Sequence, residues 1–118
     1  MSNHIIITNN PAVAEKYSSS TRFIEGSVKD IFTAIRDAVH KGAKIISHPL
    51  SGSIKPNESP YKSIAITTTT GPLDLKHLSI IEDAISTLAR LPDRNRMYDE
   101  SVLDDFRIID LDLISHIK

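Results

Sequence analysis

The stretch from Ser27 to Gly42 constrains the fold more than any other part of the chain. Val28, Ile31, Phe32, Ile35 and Val39 recur at helical spacing, which gathers them on one face and leaves the other polar. Ser27 offers an N-cap oxygen, and Asp30 suits the positively polarised first turn. His40 and Lys41 suit the negative end of the helix dipole, and Gly42 fits the left-handed position just past it. A helix with one apolar stripe must lay that stripe against another apolar surface, and the short β-branched runs around it supply a sheet.

Those runs are regularly placed. His4 to Thr8 reads as a buried strand closed by the turn cluster Asn9-Asn10-Pro11. Ala12 to Tyr17 follows as a short helix with Pro11 at its first position, and Ser18 to Ser20 break the pattern. Thr21 to Glu25 is a second strand ended by Gly26, and Lys44 to Ser47 a third, so residues 21–47 read as a βαβ unit with a right-handed crossover. Lys62 to Thr68 alternates, with Ile64 and Ile66 on one face. Asp74 caps a second long helix in which Leu78, Ile81, Ile85 and Leu88 share a face, and Pro92 lies beyond its end.

The tail fits two patterns. Val102, Phe106, Ile109, Leu113 and Ile117 have helical spacing, whereas Ile109, Leu111 and Leu113 alternate like a strand; the reading is mostly helix. The expected fold is a single layered α/β domain over residues 1–118, with a mainly parallel or mixed sheet of about four strands flanked by amphipathic helices. Residues 48–61 carry no helix, so the last strand is expected to run antiparallel. A ferredoxin-like or other α+β arrangement is the alternative.

Composition removes several function classes. A net charge of −1 and six scattered aromatic residues (three Phe, three Tyr) suit neither phosphate neutralisation nor base stacking, so no nucleic-acid partner is expected. With no cysteine, the chain has no disulfide, thiolate metal site or thiol redox role of its own. The apolar run Ile5 to Ile7 is too short for a signal h-region or a membrane span, which points to the cytoplasm and away from a membrane.

Ligands of open α/β sheets bind at the carboxyl ends of the strands. Asn9-Asn10 and the segment from His48 onward both fall there, which marks Asn9, Asn10, His48, Ser51, Gly52, Ser53, Lys55, Asn57, Tyr61 and Lys62 as the candidate binding residues. Ser51-Gly52-Ser53 can present N–H groups and hydroxyls to an anion, with Lys55 or Lys62 adding charge. The plainer alternative is a serine-glycine turn held by its own hydrogen bonds. Likewise Asn9 and Asn10 either bind a ligand or cap the helix begun at Pro11, and His48 is either a base or a turn residue. Neither a Walker-type phosphate loop nor a nucleophile elbow surrounds these residues, and His4, His40, His48, His77 and His116 lack metal-ligand spacing. No resident cofactor or metal is expected. Arg90, Arg94 and Arg96, followed by Asp99, Glu100, Asp104, Asp105, Asp110 and Asp112, read as solvated surface, with pairing between the two groups or across a homo-oligomer as the alternative.

Two stretches carry a resemblance: Ile5-Ile-Ile-Thr-Asn-Asn-Pro11, and His48-Pro-Leu-Ser-Gly-Ser-Ile-Lys-Pro-Asn-Glu-Ser-Pro-Tyr-Lys-Ser63. With the chain length and the Leu73-Asp74-Leu75 entry to the second long helix, they resemble the GrdX family, small proteins encoded beside glycine, sarcosine and betaine reductase components in amino-acid-fermenting anaerobic bacteria. The resemblance implies a cytoplasmic protein associated with that fermentation; together with a polar loop that lacks a catalytic constellation, it leads to an accessory or regulatory protein working through reductase components or a small anionic ligand. It brings no catalytic residue set. A small-molecule-binding enzyme built on the 48–62 loop is the alternative.

Overall fold

Three consecutive isoleucines in the first strand require apolar layers on both faces of the sheet, because successive side chains point to opposite sides. The computed structural model, which describes residues 4–52, 55–92 and 98–117, supplies both. The strands are β1 (His4–Thr8), β2 (Thr21–Phe23) and β3 (Ser63–Thr67), and the helices are α1 (Pro11–Lys16), α2 (Val28–His40), α3 (Leu75–Arg90) and α4 (Glu100–Ile117). On one face Ile7, Ile64 and Ile66 pack beneath Ile31, Phe32, Ile35 and Val39 of α2 and Ile81 and Ala84 of α3. On the other, Ile6 and Ala65 meet Val13 of α1 and Ile114 of α4. Each large side chain buried this way contributes about 1.5–3 kcal/mol over its exposed state.

The helix ends follow the sequence closely. Ser27 Oγ accepts from the Asp30 N–H at 3.2 Å, and Asp30 Oδ2 accepts from the Ser27 N–H at 2.9 Å, a reciprocal capping box. That main-chain bond, followed by one from the Ser27 hydroxyl, holds the Asp30 carboxyl below its ordinary range. Asn10 caps α1 and Asp74 caps α3, each accepting from the N–H two residues on. Gly42 takes the left-handed position after α2, with φ of 105°. The tail is helical from Glu100 to Ile117.

The sheet departs from expectation in its third strand. It has three strands in the order β2-β1-β3, with β1 parallel to β2 and antiparallel to β3. The antiparallel last strand is as expected, and the order βαβαβαα differs from a ferredoxin-like βαββαβ. Lys44–Ser47 lies along the free edge of β3 but makes a single antiparallel bridge, Ile45 to Ile66. Side-chain hydroxyls take the place of ladder carbonyls there: Thr67 Oγ1 accepts from the Lys44 N–H, and Ser47 Oγ from the Ala65 N–H, both at 2.8 Å. The Ile46 and Ser47 N–H groups converge on one carbonyl, that of Ala65, as in a bulge. The expected βαβ unit therefore has its ends on opposite edges of the sheet. The second strand also stops at Phe23 rather than Glu25, because β1 turns into the α1 cap after Thr8 and leaves Glu25 no ladder partner.

Candidate functional site

The polar residues after β1 sit where the sheet, the 48–62 loop and α4 converge. Asn9 is a staple between three segments: its Nδ2 donates to the carbonyls of Gly26 at 2.9 Å and Pro60 at 2.8 Å, and its Oδ1 accepts from the Lys62 N–H at 2.8 Å. Asn10 is fully buried; its Nδ2 donates to the Arg107 carbonyl at 2.9 Å and to Asp110 Oδ2 at 3.0 Å, while its Oδ1 forms the α1 cap. The amide donors of both asparagines are thus engaged within the fold.

Asp110 is the residue that sequence reasoning misplaced. Set among six acidic residues of the tail, it reads as solvated surface, yet it is 6 % exposed. Its Oδ1 accepts from the Ser63 N–H at 3.1 Å and its Oδ2 from the Ser63 hydroxyl at 2.7 Å. Because a carboxylate accepts only, Ser63 donates to it, so Thr8 donates to Ser63 Oγ at 2.6 Å, and the Asn10 N–H donates to Thr8 Oγ1 at 2.9 Å. The chain of hydrogen bonds polarises in one direction and ends on the carboxylate. Residues 107, 110, 111 and 114 share a helical face, and that spacing was the available signal.

The loop is fastened to α4 and to the end of α3. Arg107 donates to the Tyr61 hydroxyl at 2.8 Å and lies over its ring; Tyr98 donates to the Glu58 carbonyl at 2.8 Å; Asn57 Nδ2 donates to the Pro92 carbonyl at 2.9 Å. Arg107 also pairs with Glu100, and that bond, then the one to Tyr61, raises its guanidinium above its usual range. Arg90 bonds Ser86 and Thr87 instead of an acid, and Arg94 and Arg96 lie outside the described residues.

Of the candidate residues, Ser51, Lys55, Tyr61 and Lys62 come together around one pocket of about 30 Å³, room for one or two water-sized groups. Val28, Phe106, Ile109 and Leu113 supply its apolar walls, and Asp110 reaches it from below. Lys62 is half-buried, with its Nζ donating to the Ser51 carbonyl at 3.4 Å. His48 stands apart and exposed, its Nδ1 accepting from the Leu50 N–H at 3.1 Å in a turn. Gly52 abuts Leu113, Asn57 points to Pro92, and Ser53 lies outside the described residues. The Glu58 carboxylate accepts from the Lys55 N–H at 3.0 Å, and among the described residues neither it nor His48 is hydrogen-bonded to a serine hydroxyl. Among the described residues no three His, Asp or Glu side chains are grouped to hold a metal ion, and no helix is long and apolar enough to cross a membrane.

A family model described as GrdX-like protein matches residues 5–117. The chain belongs to the GrdX-like protein family. No curated protein and no solved structure matches it. Both segments that carry the GrdX resemblance end at the Asn9–Lys62 junction, one entering it from β1 and the other from the loop.

Burial pushes the Lys62 amine below the ordinary lysine value of 10.5, and the charge of Asp110 opposes this in part. The folded-state value lies below the unfolded one, so keeping Lys62 protonated costs stability at neutral pH, and the cost vanishes as pH rises to the ordinary value. Lys62→Met is therefore expected to raise the urea midpoint at pH 7, with the gain shrinking toward pH 10.5. Urea titrations of both proteins across that range check it; a pH-independent difference contradicts the assignment.

Proposed function

We propose that this chain is a cytoplasmic accessory or regulatory protein of reductive amino-acid fermentation of the glycine, sarcosine and betaine reductase type. Membership of the GrdX-like family carries this reading. The site is compatible with it: the polar groups at the sheet's carboxyl edge hold a loop and a helix in place, and among the described candidate residues no nucleophile–base pair is assembled. The test is direct. Purified reductase components are mixed with the protein, and co-elution and reductase turnover are measured. Binding or a reproducible change in turnover is expected; neither, with every component, overturns the proposal.

The Lys62 pocket favours a second reading, in which the 48–62 loop binds a small anion, phosphate ester or amino acid. Lys55 and Lys62 supply charge, and Ser51 and Tyr61 supply polar groups. A thermal-shift panel of glycine, sarcosine, betaine, acetyl phosphate, nucleotides and inorganic phosphate tests this. A ligand at about a hundred times its Kd stabilises by roughly 2.7 kcal/mol. Ser51→Ala and Lys55→Ala are expected to abolish the shift, whereas His48→Ala, outside the pocket, leaves it intact. A shift unchanged in the first two variants removes this site.

A further inference from the structure

The most regular apolar pattern in α4 is not the one the fold buries. Val102, Phe106, Ile109 and Leu113 follow the alternating four-three spacing that gathers side chains into one seam between two helices. The helix instead turns Asp110 and Ile114 inward, and Val102, Ile109 and Leu113 stay 36–40 % exposed with Phe106 half-buried beside them. Phe106, Ile109 and Leu113 line a shallow groove whose far wall is the 48–62 loop, and its cavity of about 30 Å³ has room for the end of one apolar side chain. The flank of the seam turned away from Asp110 is acidic: Asp105 and Asp112, each one position before a seam residue, are both exposed. Glu100 and Asp104, on the opposite side of the helix, pair with Arg107 instead.

We propose that this seam is the docking face for an amphipathic helix of another protein, with apolar side chains at the matching spacing and lysine or arginine beside them, opposite Asp105 and Asp112. The inference rests on the first reading above, that the chain works through protein partners, and names the face they meet. Charge decides between occupants. Laying α4 of a second copy antiparallel on the seam matches Val102 with Leu113 and Phe106 with Ile109, but sets Asp105 against Asp112 on the flank, a like-charge contact made twice. A helix with basic flanks keeps the apolar match and turns that repulsion into attraction. The apolar knobs supply the affinity, and the aspartates select the partner.

The probes are two capped peptides of about 21 residues, three heptads with leucine at each seam position and either lysine or glutamate on both flanks. Binding to the full chain is read by fluorescence anisotropy at low salt. The lysine peptide is expected to bind about tenfold or more tighter than the glutamate peptide. Asp105→Lys with Asp112→Lys is expected to invert that order, whereas Asp37→Lys with Asp83→Lys, the same charge change at exposed sites of α2 and α3, preserves it. Ile109→Ser and Leu113→Ser, each checked by circular dichroism for an intact fold, are expected to weaken the lysine peptide about tenfold. A preference moved equally by the two double variants, or binding indifferent to both serine variants, overturns the seam. So does a dimer in sedimentation that Ile109→Ser dissolves, which gives the face to a second copy. Reductase co-elution separates this inference from the first reading. Components that bind wild type and Ile109→Ser equally overturn the seam and leave the accessory role standing; components that never bind wild type overturn that role, and the peptides alone then decide the seam.

Discussion

Replacing Asp110 by alanine is expected to lower the unfolding free energy by about 3–5 kcal/mol, the range seen when one partner of a buried charged network is removed. The variant strands the Ser63 N–H, the Ser63 hydroxyl and one Asn10 amide N–H beneath the surface. Each orphaned donor costs about 1–3 kcal/mol, and the three are not additive because Ser63 and Asn10 share one partner. For a chain near this size the loss lowers Tm by roughly 10–25 °C. Asp110→Asn keeps one acceptor but sets an amide against donors, so its cost falls between wild type and alanine. Urea unfolding of these variants and of Ser63→Ala, as a double-mutant cycle, checks the network. A cost below about 1 kcal/mol for Asp110→Ala would mean that the pairing contributes little. The consequence reaches the site, because Ser63 opens β3 and the next residue back is Lys62. Loss of Asp110 unpins the point from which Lys62 enters its pocket.

The core elements were legible because each rests on local patterns. The α2 stripe, its Ser27 cap and Gly42, the buried run Ile5 to Ile7 and the alternation of Ile64 and Ile66 all lie where periodicity and end signals place them. Lys44–Ser47 was misread because β-branched Ile45 and Ile46 have strand propensity, whereas nothing local announces that Thr67 and Ser47 hydroxyls will displace main-chain partners. The α4 seam was misread for a related reason. Val102, Ile109 and Leu113 look like the buried stripe but are 36–40 % exposed, the last two along the pocket, while the helix buries Asp110 and Ile114. A buried carboxylate is visible only once its donors are known, and these come from positions 10 and 63, far away in sequence. The candidate site was half legible on the same grounds. The loop was marked by its place after a strand and by carrying no helix over 48–61, but which of its side chains converge was decided by tethers from Arg107 and Tyr98 on the far end of the chain.

Gly42→Ala is expected to cost at least about 3 kcal/mol, combining a backbone conformation unfavourable to side chains with a collision. The residue has φ of 105°, and a Cβ there would lie 2.3 Å from the Gly71 nitrogen and 2.8 Å from the Gly71 oxygen and the Thr70 carbonyl carbon. All three are main-chain atoms, so no side chain can rotate out of the way. The Gly71 N–H donates to the Lys41 carbonyl at 2.9 Å, closing the C-terminal end of α2 onto the turn that leads into α3. Gly71→Ala separates the two effects. Gly71 has φ of 150° but nothing within 4 Å of its Cβ position, so its substitution carries the conformational cost alone, about 1–3 kcal/mol. Urea midpoints of the two variants give the contribution of close approach as their difference, and equal midpoints would show that the α2–Gly71 contact contributes nothing. Val28 stands at the opposite end of α2, against the Lys62 pocket. A Gly42→Ala protein that still folds should therefore lose stability without losing any ligand response, because the strain lies about four helical turns from the pocket.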